Sequence, residues 1–351
     1  MESHVTIASL CFVPGVALGL FVAPGCALAL AAGGLVSGWM LCGMKRPRDL
    51  YGVLGLALML FSAGLLCAAR WNQCGEGLQP AFAVRCADAL RSLIESLDFT
   101  NPDTPALLKA FLTGDRSSLS ENTLDTFRSS GASHLLALSG LHMGIIYMLL
   151  KRIFSIAGGH PAAKLVSGVG VILLTGFFTL MTGASPSCVR AFLFISISEI
   201  ARLTHRQASP LHCLSLALLI QLCISPGNIT KAGFQLSYLA VLGICLLFPP
   251  LRRLYPAGNS LDPFRKVWDM ASLSISCQVF TAPLSWKLFH SFPQYFLITN
   301  LMALPLMTFI MLSSIITLVL AGFGLRPAIT TQATELLCGL LVKILEIISS
   351  L

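Results

Sequence analysis

Apolar runs close to 20 residues long recur from one end of this chain to the other, and that repetition constrains its fold more than any other feature. A helix needs about 20 predominantly apolar residues to cross a hydrocarbon core of roughly 30 Å. The strands of a transmembrane barrel would instead be about 10 residues long, with apolar and polar positions alternating. The runs here are continuous and rich in Leu, Ala, Gly and Ile. Charged side chains make up 11% of the 351 residues, against about 25% in a soluble domain, too few to solvate a globular surface of this size. The expected fold is all-α, a polytopic bundle of transmembrane helices.

Eleven candidate spans follow: residues 5–22, 24–43, 50–69, 133–154, 164–182, 187–203, 211–225, 233–248, 270–289, 296–322 and 328–350. The first two read as a retained hairpin interrupted at Pro24 rather than a signal peptide, because no positive n-region precedes them. The tenth contains Pro305 and reads as a broken or re-entrant helix. Lys and Arg collect in alternate links, at Lys45/Arg46/Arg48, Lys151/Arg152/Lys164, Arg202/Arg206, Arg252/Arg253/Arg265/Lys266 and Arg326, which hold 13 of the 23 basic residues. Cytoplasmic loops carry that excess, so the N-terminus is expected in the cytoplasm and the C-terminus outside. Three parts are expected: N-terminal helices over 1–69, an extracytoplasmic insertion over 70–132, and a membrane core over 133–351.

The insertion holds six basic and eight acidic residues, which excludes a basic arm for nucleic acid. Residues 82–99 are amphipathic, with Ala83, Ala87, Leu90, Leu93, Ile94 and Leu97 on one face. That face needs the membrane surface or the mouth of the bundle as its partner. A shorter helix over 105–112 ends at Gly114, and Ser118-Ser-Leu-Glu121 reads as a capping box opening a helix that closes near Gly131. Together these read as linker helices. Of the 12 cysteines, ten lie inside apolar runs as small packing residues. Cys74 and Cys86 stand in polar sequence, where a bridge requires an extracytoplasmic setting. No cysteine spacing matches a metal site, and no cofactor is expected.

Polar groups inside the apolar runs are the candidates for function. Read as one helix at about 100° per residue, Ser133–Phe154 places His134, Ser139 and His142 on one broad face. Gly140 and Gly144 then form a small-residue stripe on the other side. Ionisable groups at such depth face a cavity or pathway, or else tie helices together. Gly183-Ala-Ser-Pro-Ser-Cys-Val-Arg190 opens a second span, with Ser185 as cap, Pro186 at the first position, and Arg190 one turn in, where it snorkels, pairs or faces water. Lys231-Ala-Gly-Phe-Gln-Leu-Ser-Tyr238 opens a third, with Gln235, Ser237 and Tyr238 too polar for lipid, so that they either line a pore or cross-link helices. Glu199 is expected to pair with Arg202. Ala137-Leu-Ser-Gly140 is similar to the G-x-S-G of intramembrane serine proteases, but the available histidines, His212 and His290, fall at opposite span ends. No Walker loop, H-E-x-x-H or metal-hydrolase cluster is present, so no catalytic residue is assigned.

Five segments in order resemble the membrane core of the ComEC family of competence proteins: Leu112-Thr-Gly-Asp-Arg116, His134-Leu-Leu-Ala-Leu-Ser-Gly-Leu-His-Met-Gly144, Pro186-Ser-Cys-Val-Arg-Ala191, Gly233-Phe-Gln-Leu-Ser-Tyr-Leu-Ala-Val-Leu-Gly-Ile244 and Asn300-Leu-Met-Ala-Leu-Pro305. The resemblance runs from about Leu107 to Leu320. It implies a channel in the cytoplasmic membrane that passes single-stranded DNA during natural transformation. His134, Ser139, His142, Arg190, Gln235, Ser237 and Tyr238 would then line the path, and Arg190, Lys231 and Lys287 would meet phosphates. Phe234 and Tyr238 would offer bases a stacking surface. Family members also carry an outer OB-like domain and a metallo-β-lactamase-like domain; neither is expected in these residues, so nuclease activity is not expected and a separate nuclease and DNA receptor become expected partners, beside membrane lipid. A permease for another solute, or a scaffold for DNA-uptake partners, is the competing reading. Oligomeric state is not set by any of these features.

Overall fold

A computed structural model describes residues 2–44, 50–74, 80–155, 161–256, 262–290, 294–325 and 328–350. The basic links at Lys45/Arg46/Arg48 and Arg326 lie outside the described residues. The described residues are helical, without strands, and the all-α expectation holds. In order the helices are α1 (Glu2–Phe21), α2 (Pro24–Met44), α3 (Leu50–Cys74), α4 (Ala81–Glu95), α5 (Asp103–Thr113), α6 (Glu121–Ser129), α7 (Ser133–Leu136), α8 (Gly140–Ser155), α9 (Pro161–Met181), α10 (Pro186–Leu203), α11 (Pro210–Ile224), α12 (Ala232–Arg253), α13 (Pro263–Phe289), α14 (Phe296–Gly322) and α15 (Ala328–Ser349). A 3-10 turn, Pro226–Thr230, joins α11 to α12.

Helices occupy all eleven expected positions, but among the described residues five are long and apolar enough to cross a membrane by length and composition: Leu54–Trp71, Ala162–Met181, Ala232–Arg253, Phe296–Gly322 and Ala328–Ser349. Val5–Phe21, Pro24–Met40 and Pro210–Ile224 are apolar but shorter. The remaining three fall short for separate reasons. α8 has 16 residues, α10 carries Arg190, Glu199 and Arg202, and α13 is diluted by Ser272, Ser274, Ser276 and Gln278. The expected break at Pro305 does not occur, since α14 runs through it for 27 residues. Thr308 Oγ1 donates to the Leu304 carbonyl at 3.1 Å, the kind of side-chain bond that lets a membrane helix tolerate proline.

Two compact units divide the chain, Met1–Leu78 with Leu193–Tyr238, and Gln79–Phe192 with Leu239–Leu351. They do not follow the three expected stretches. In the first unit, α1, α2 and α3 approach through small residues. A Cβ on Gly15 would meet the Phe61 carbonyl, and one on Gly64 would meet the Phe12 carbonyl. Gly38 and Gly55 face each other, each within 2.7 Å of the other's carbonyl oxygen if given a Cβ. Where lipid is as apolar as leucine, such close backbone contact supplies the packing energy that burial supplies in water. The expected Glu199–Arg202 pair forms within α10, with the Arg202 Nη2 at 2.6 Å from a fully buried carboxylate.

In the second unit the core joins Ile94, Leu107, Leu108, Phe111 and Phe127 to Leu135, Leu136, Met307, Ile310, Met311, Leu341 and Leu345. The polar insertion is therefore not a set of linkers. The amphipathic face expected in it buries Ala83, Ala87 and Ile94, and its partners are α5, α9 and α14. Polar ties reinforce the contact. Glu335 of α15 accepts the Asn101 N–H at 2.6 Å, and Thr299 of α14 donates to the Ser130 carbonyl at 2.7 Å. The cap of α6 is Ser120, whose hydroxyl accepts the Thr123 N–H at 3.2 Å, two residues beyond the expected Ser118. Cys86 is a free thiol, and the side chain of Cys74 lies outside the described residues.

Gly64→Leu should lower stability by about 1–3 kcal/mol, the usual cost of overpacking, read as a drop in the thermal midpoint of the detergent-solubilised protein. Gly25→Ala, where a Cβ would meet nothing within 4 Å, should leave that midpoint in place.

Candidate functional site

The polar helix expected over residues 133–154 is two helices. α7 stops at Leu136, Ala137 is extended with φ −80° and ψ 129°, and α8 starts at Gly140. The cause is local. Leu141 N–H donates to Ser139 Oγ at 3.3 Å, while Ser139 N–H donates to His142 Nδ1 at 3.3 Å. This is the reciprocal geometry of a capping box, with histidine in the place usually held by Glu or Gln. Ser139 Oγ also lies 3.2 Å from Nδ1. The helical-wheel argument that gave His134, Ser139 and His142 one face fails at this break. Ser139 and His142 are brought together, whereas His134 is exposed and its Nδ1 lies 3.2 Å from the Gly131 carbonyl.

Accepting a backbone N–H at Nδ1 puts the proton of a neutral His142 on Nε2. The side chain is fully buried, its ring 6.3 Å from that of Phe111, and Nε2 has no partner among the described residues. A buried donor left unpaired costs about 1–3 kcal/mol, and native structures keep few of them.

The neighbouring segment Leu112–Arg116 braces the break. Gly114 ends α5 with φ +79°, its N–H donating to the Ala110 carbonyl at 3.1 Å. A Cβ at Gly114 would come within 2.6 Å of Leu138 Cδ1. Arg116 Nε donates at 3.0 Å to the carbonyl of Leu136, the last residue of α7. Asp115 accepts from the Ser117 hydroxyl at 2.7 Å and lies 3.3 Å from Arg91 Nε. Those Ser117 hydrogen bonds, and then the charges of Arg91 and Lys109, hold its carboxyl below the usual range. The expected helix end at Gly114 is borne out, whereas the brace that Arg116 supplies has no counterpart in the sequence pattern. The available signal was a glycine closing an apolar helix with an arginine two residues on, and what they brace lies 20 residues away.

α10 begins as expected, with Pro186 at its first position and Ser185 Oγ accepting the Cys188 N–H at 3.4 Å. Arg190 does not snorkel. It is 7% exposed, and its Nη2 stands 3.4 Å from where a Cβ on Gly140 would be. A Cβ at that distance would be in ordinary contact, so what the geometry establishes is a guanidinium beside the N-terminus of α8, where the helix dipole is already positive. Ser139, His142 and Arg190 form one cluster around the break.

The other expected site residues do not join it. Gln235 Nε2 donates to the Ile229 carbonyl at 2.7 Å, closing the 3-10 turn, and Tyr238 donates to Gln221 Oε1 at 3.0 Å in a buried bond. Both amides and the phenol act as ties between elements of the first unit. Phe234 and Tyr238 are 4% and 8% exposed, with ring centroids 4.6 Å apart. The expected stacking surface is spent on each other, because residues four apart share a helix face. Ser237 is half-buried; Lys231 and Lys287 are exposed, in the first and second unit respectively.

Compared with known proteins, residues 111–351 match the family described as Competence protein. ComE operon protein 3 of Bacillus subtilis is 26% identical over 237 residues, which is 65% of this chain and 29% of that protein. Recombination protein 2 of Haemophilus influenzae is 26% identical over 250 residues, 67% of this chain and 31% of that protein. The uncharacterized protein YcaI of Escherichia coli is 25% identical over 203 residues. The chain spans less than a third of the length of these curated relatives. No solved structure matches it.

Gly114→Ala should destabilise the protein by about 1–2 kcal/mol through its positive φ and the Leu138 contact, read as faster amide exchange over residues 136–141. The Asp115 carboxyl has a lower pKa folded than unfolded, so its contribution is complete above the unfolded value and is lost as pH falls through the folded one. Protection of residues 114–120 should fall across that acidic window, and Asp115→Asn should flatten the dependence.

Proposed function

Since this chain belongs to the ComEC family of competence proteins, we propose that it carries single-stranded DNA across the cytoplasmic membrane during natural transformation. The observation that carries the reading is Arg190, buried beside Gly140 at the N-terminus of α8. A guanidinium and a helix N-terminus each attract anions. A passing phosphate is such an anion, and Arg can meet it with two parallel hydrogen bonds. The break between α7 and α8 supports the same reading. Irregular backbone at membrane depth is tolerated where protein or a water-filled cavity surrounds it, and half-helix N-termini directed at anions recur in transporters. His142 Nε2 adds a buried donor without a partner among the described residues.

In this scheme Arg190 holds the phosphate backbone transiently, and His142 donates to a phosphate oxygen, a base edge or a bridging water. Ser139 positions His142 and takes no other part. Lys231 and Lys287, both exposed, contribute to attracting the strand at long range. Phe234 and Tyr238 do not stack bases, since their buried rings pack against each other. The N-terminus lies in the cytoplasm and the C-terminus outside, in keeping with the distribution of Lys and Arg. A nuclease and a DNA receptor complete the uptake machinery.

Substitutions at His142 separate structure from transport. His142→Gln keeps an acceptor for the Ser139 N–H, since Gln serves the same position in capping boxes, and should hold stability within about 1 kcal/mol. Transformation in a deletion strain complemented with this variant should nevertheless fall at least about tenfold, as should that of Arg190→Gln. Full transformation by both variants at normal membrane abundance would exclude the cluster from the path.

A further inference from the structure

At the opposite end of α12 from Tyr238, the second unit holds a basic pocket that has no part in the cluster above. α12 and α13 are locked together in this unit, because a Cβ on Gly243 would meet the Ser276 carbonyl and the Phe280 ring. Where they diverge, Phe248, Pro249, Arg252, Arg253, Tyr255 and Arg265 line a cavity of about 520 Å³, within the roughly 300–1,000 Å³ usual for small-ligand sites.

Its walls are ordered by polar contacts. Asp262 caps α13 through the Phe264 N–H at 3.0 Å and accepts from the Tyr255 hydroxyl at 2.9 Å. Trp268 Nε1 donates to the Leu251 carbonyl at 3.0 Å. Arg252 donates to Asp269 at 3.1 Å and stands 6.0 Å from the Phe248 ring centre. Around the cavity Arg252, Arg253, Arg265 and Lys266 outnumber Asp262 and Asp269, so the site is cationic. Beside it, Leu254 and Phe264 are 71% and 73% exposed.

Those three properties together narrow the ligand. Basic groups between helix ends attract phosphate. Tyr255 and Trp268, apolar in body with a polar tip, suit the headgroup level of a bilayer. Leu254 and Phe264, exposed on the rim, suit acyl chains and would be poor neighbours for a hydrated ion or a nucleic-acid strand. We propose that this pocket seats the phosphate headgroup of an anionic phospholipid, with the acyl chains lying along the exposed apolar residues of α12 and α13. Such a lipid fixes the depth of this helix pair in the membrane. It does so whether or not DNA is the transported solute.

The test uses the full chain purified in a mild, neutral detergent, with bound lipid counted by native mass spectrometry. Phosphatidylglycerol should bind at least about fivefold more tightly than phosphatidylcholine, in line with the worth of one basic residue at a membrane surface. The Arg253→Gln/Arg265→Gln double variant should lose that preference, and Arg253→Lys/Arg265→Lys should retain most of it. An unchanged count of bound phosphatidylcholine in the Gln variant establishes that it is folded. Equal binding of the two lipids, or a preference that survives the Gln variant, overturns the proposal. So does inorganic phosphate displacing phosphatidylglycerol at equal concentration, which would make the pocket a free-anion site, or single-stranded oligonucleotide doing the same.

Discussion

The interruption between Leu136 and Gly140 is the point on which the candidate site depends. Breaking a helix in an apolar setting exposes carbonyls at one end and N–H groups at the other, and each must find a partner. Arg116 reaches the last carbonyl of α7 from a different segment. Ser139 and His142 satisfy each other at the start of α8. Gly114 supplies the close approach that lets Leu138 pack between them. Remove any of these and the break has no reason to stay where it is. With it in place, the N-terminus of α8 faces a buried arginine rather than the next turn of helix.

That arrangement needs a rigid platform, and the polar insertion provides it. α4, α5 and α6 contribute Ile94, Leu107, Leu108, Phe111 and Phe127 to one core with α14 and α15. Phe111 belongs to that core and also lies against the ring of His142, so the burial that stabilises the insertion is the same burial that encloses His142. The first unit is built on another principle. Gly15, Gly38, Gly55 and Gly64 bring α1, α2 and α3 into backbone contact, where shape rather than apolar area decides the packing.

The segments that resemble the competence family were legible because they are contiguous. The helical periodicity of α4 was legible for the same reason, as were the proline start of α10 and the Glu199–Arg202 pair, whose partners lie within one turn. The capping box at Ser139 escaped notice because histidine is not the residue that usually closes one, and a run of apolar residues on either side reads equally well as one long helix. Gln235 and Tyr238 were polar enough to suggest a pore, but polarity alone does not say whether a side chain meets water or the carbonyl of Ile229 and the amide of Gln221.

Composition and local spacing thus determined that this is an all-α chain of membrane-length apolar helices, and which faces of its short helices are apolar. Those properties arise from hydropathy and from contacts within four residues, both written directly in the order of the amino acids. Tertiary structure alone decided that Arg116 would hold Leu136, that Arg190 would lie against Gly140 and that the insertion would complete a core with α14 and α15. Each of those pairs is separated by 20 to more than 200 residues. The chain carries no local signal for such a meeting, because hydropathy and spacing within one segment do not say which distant segment will pack against it.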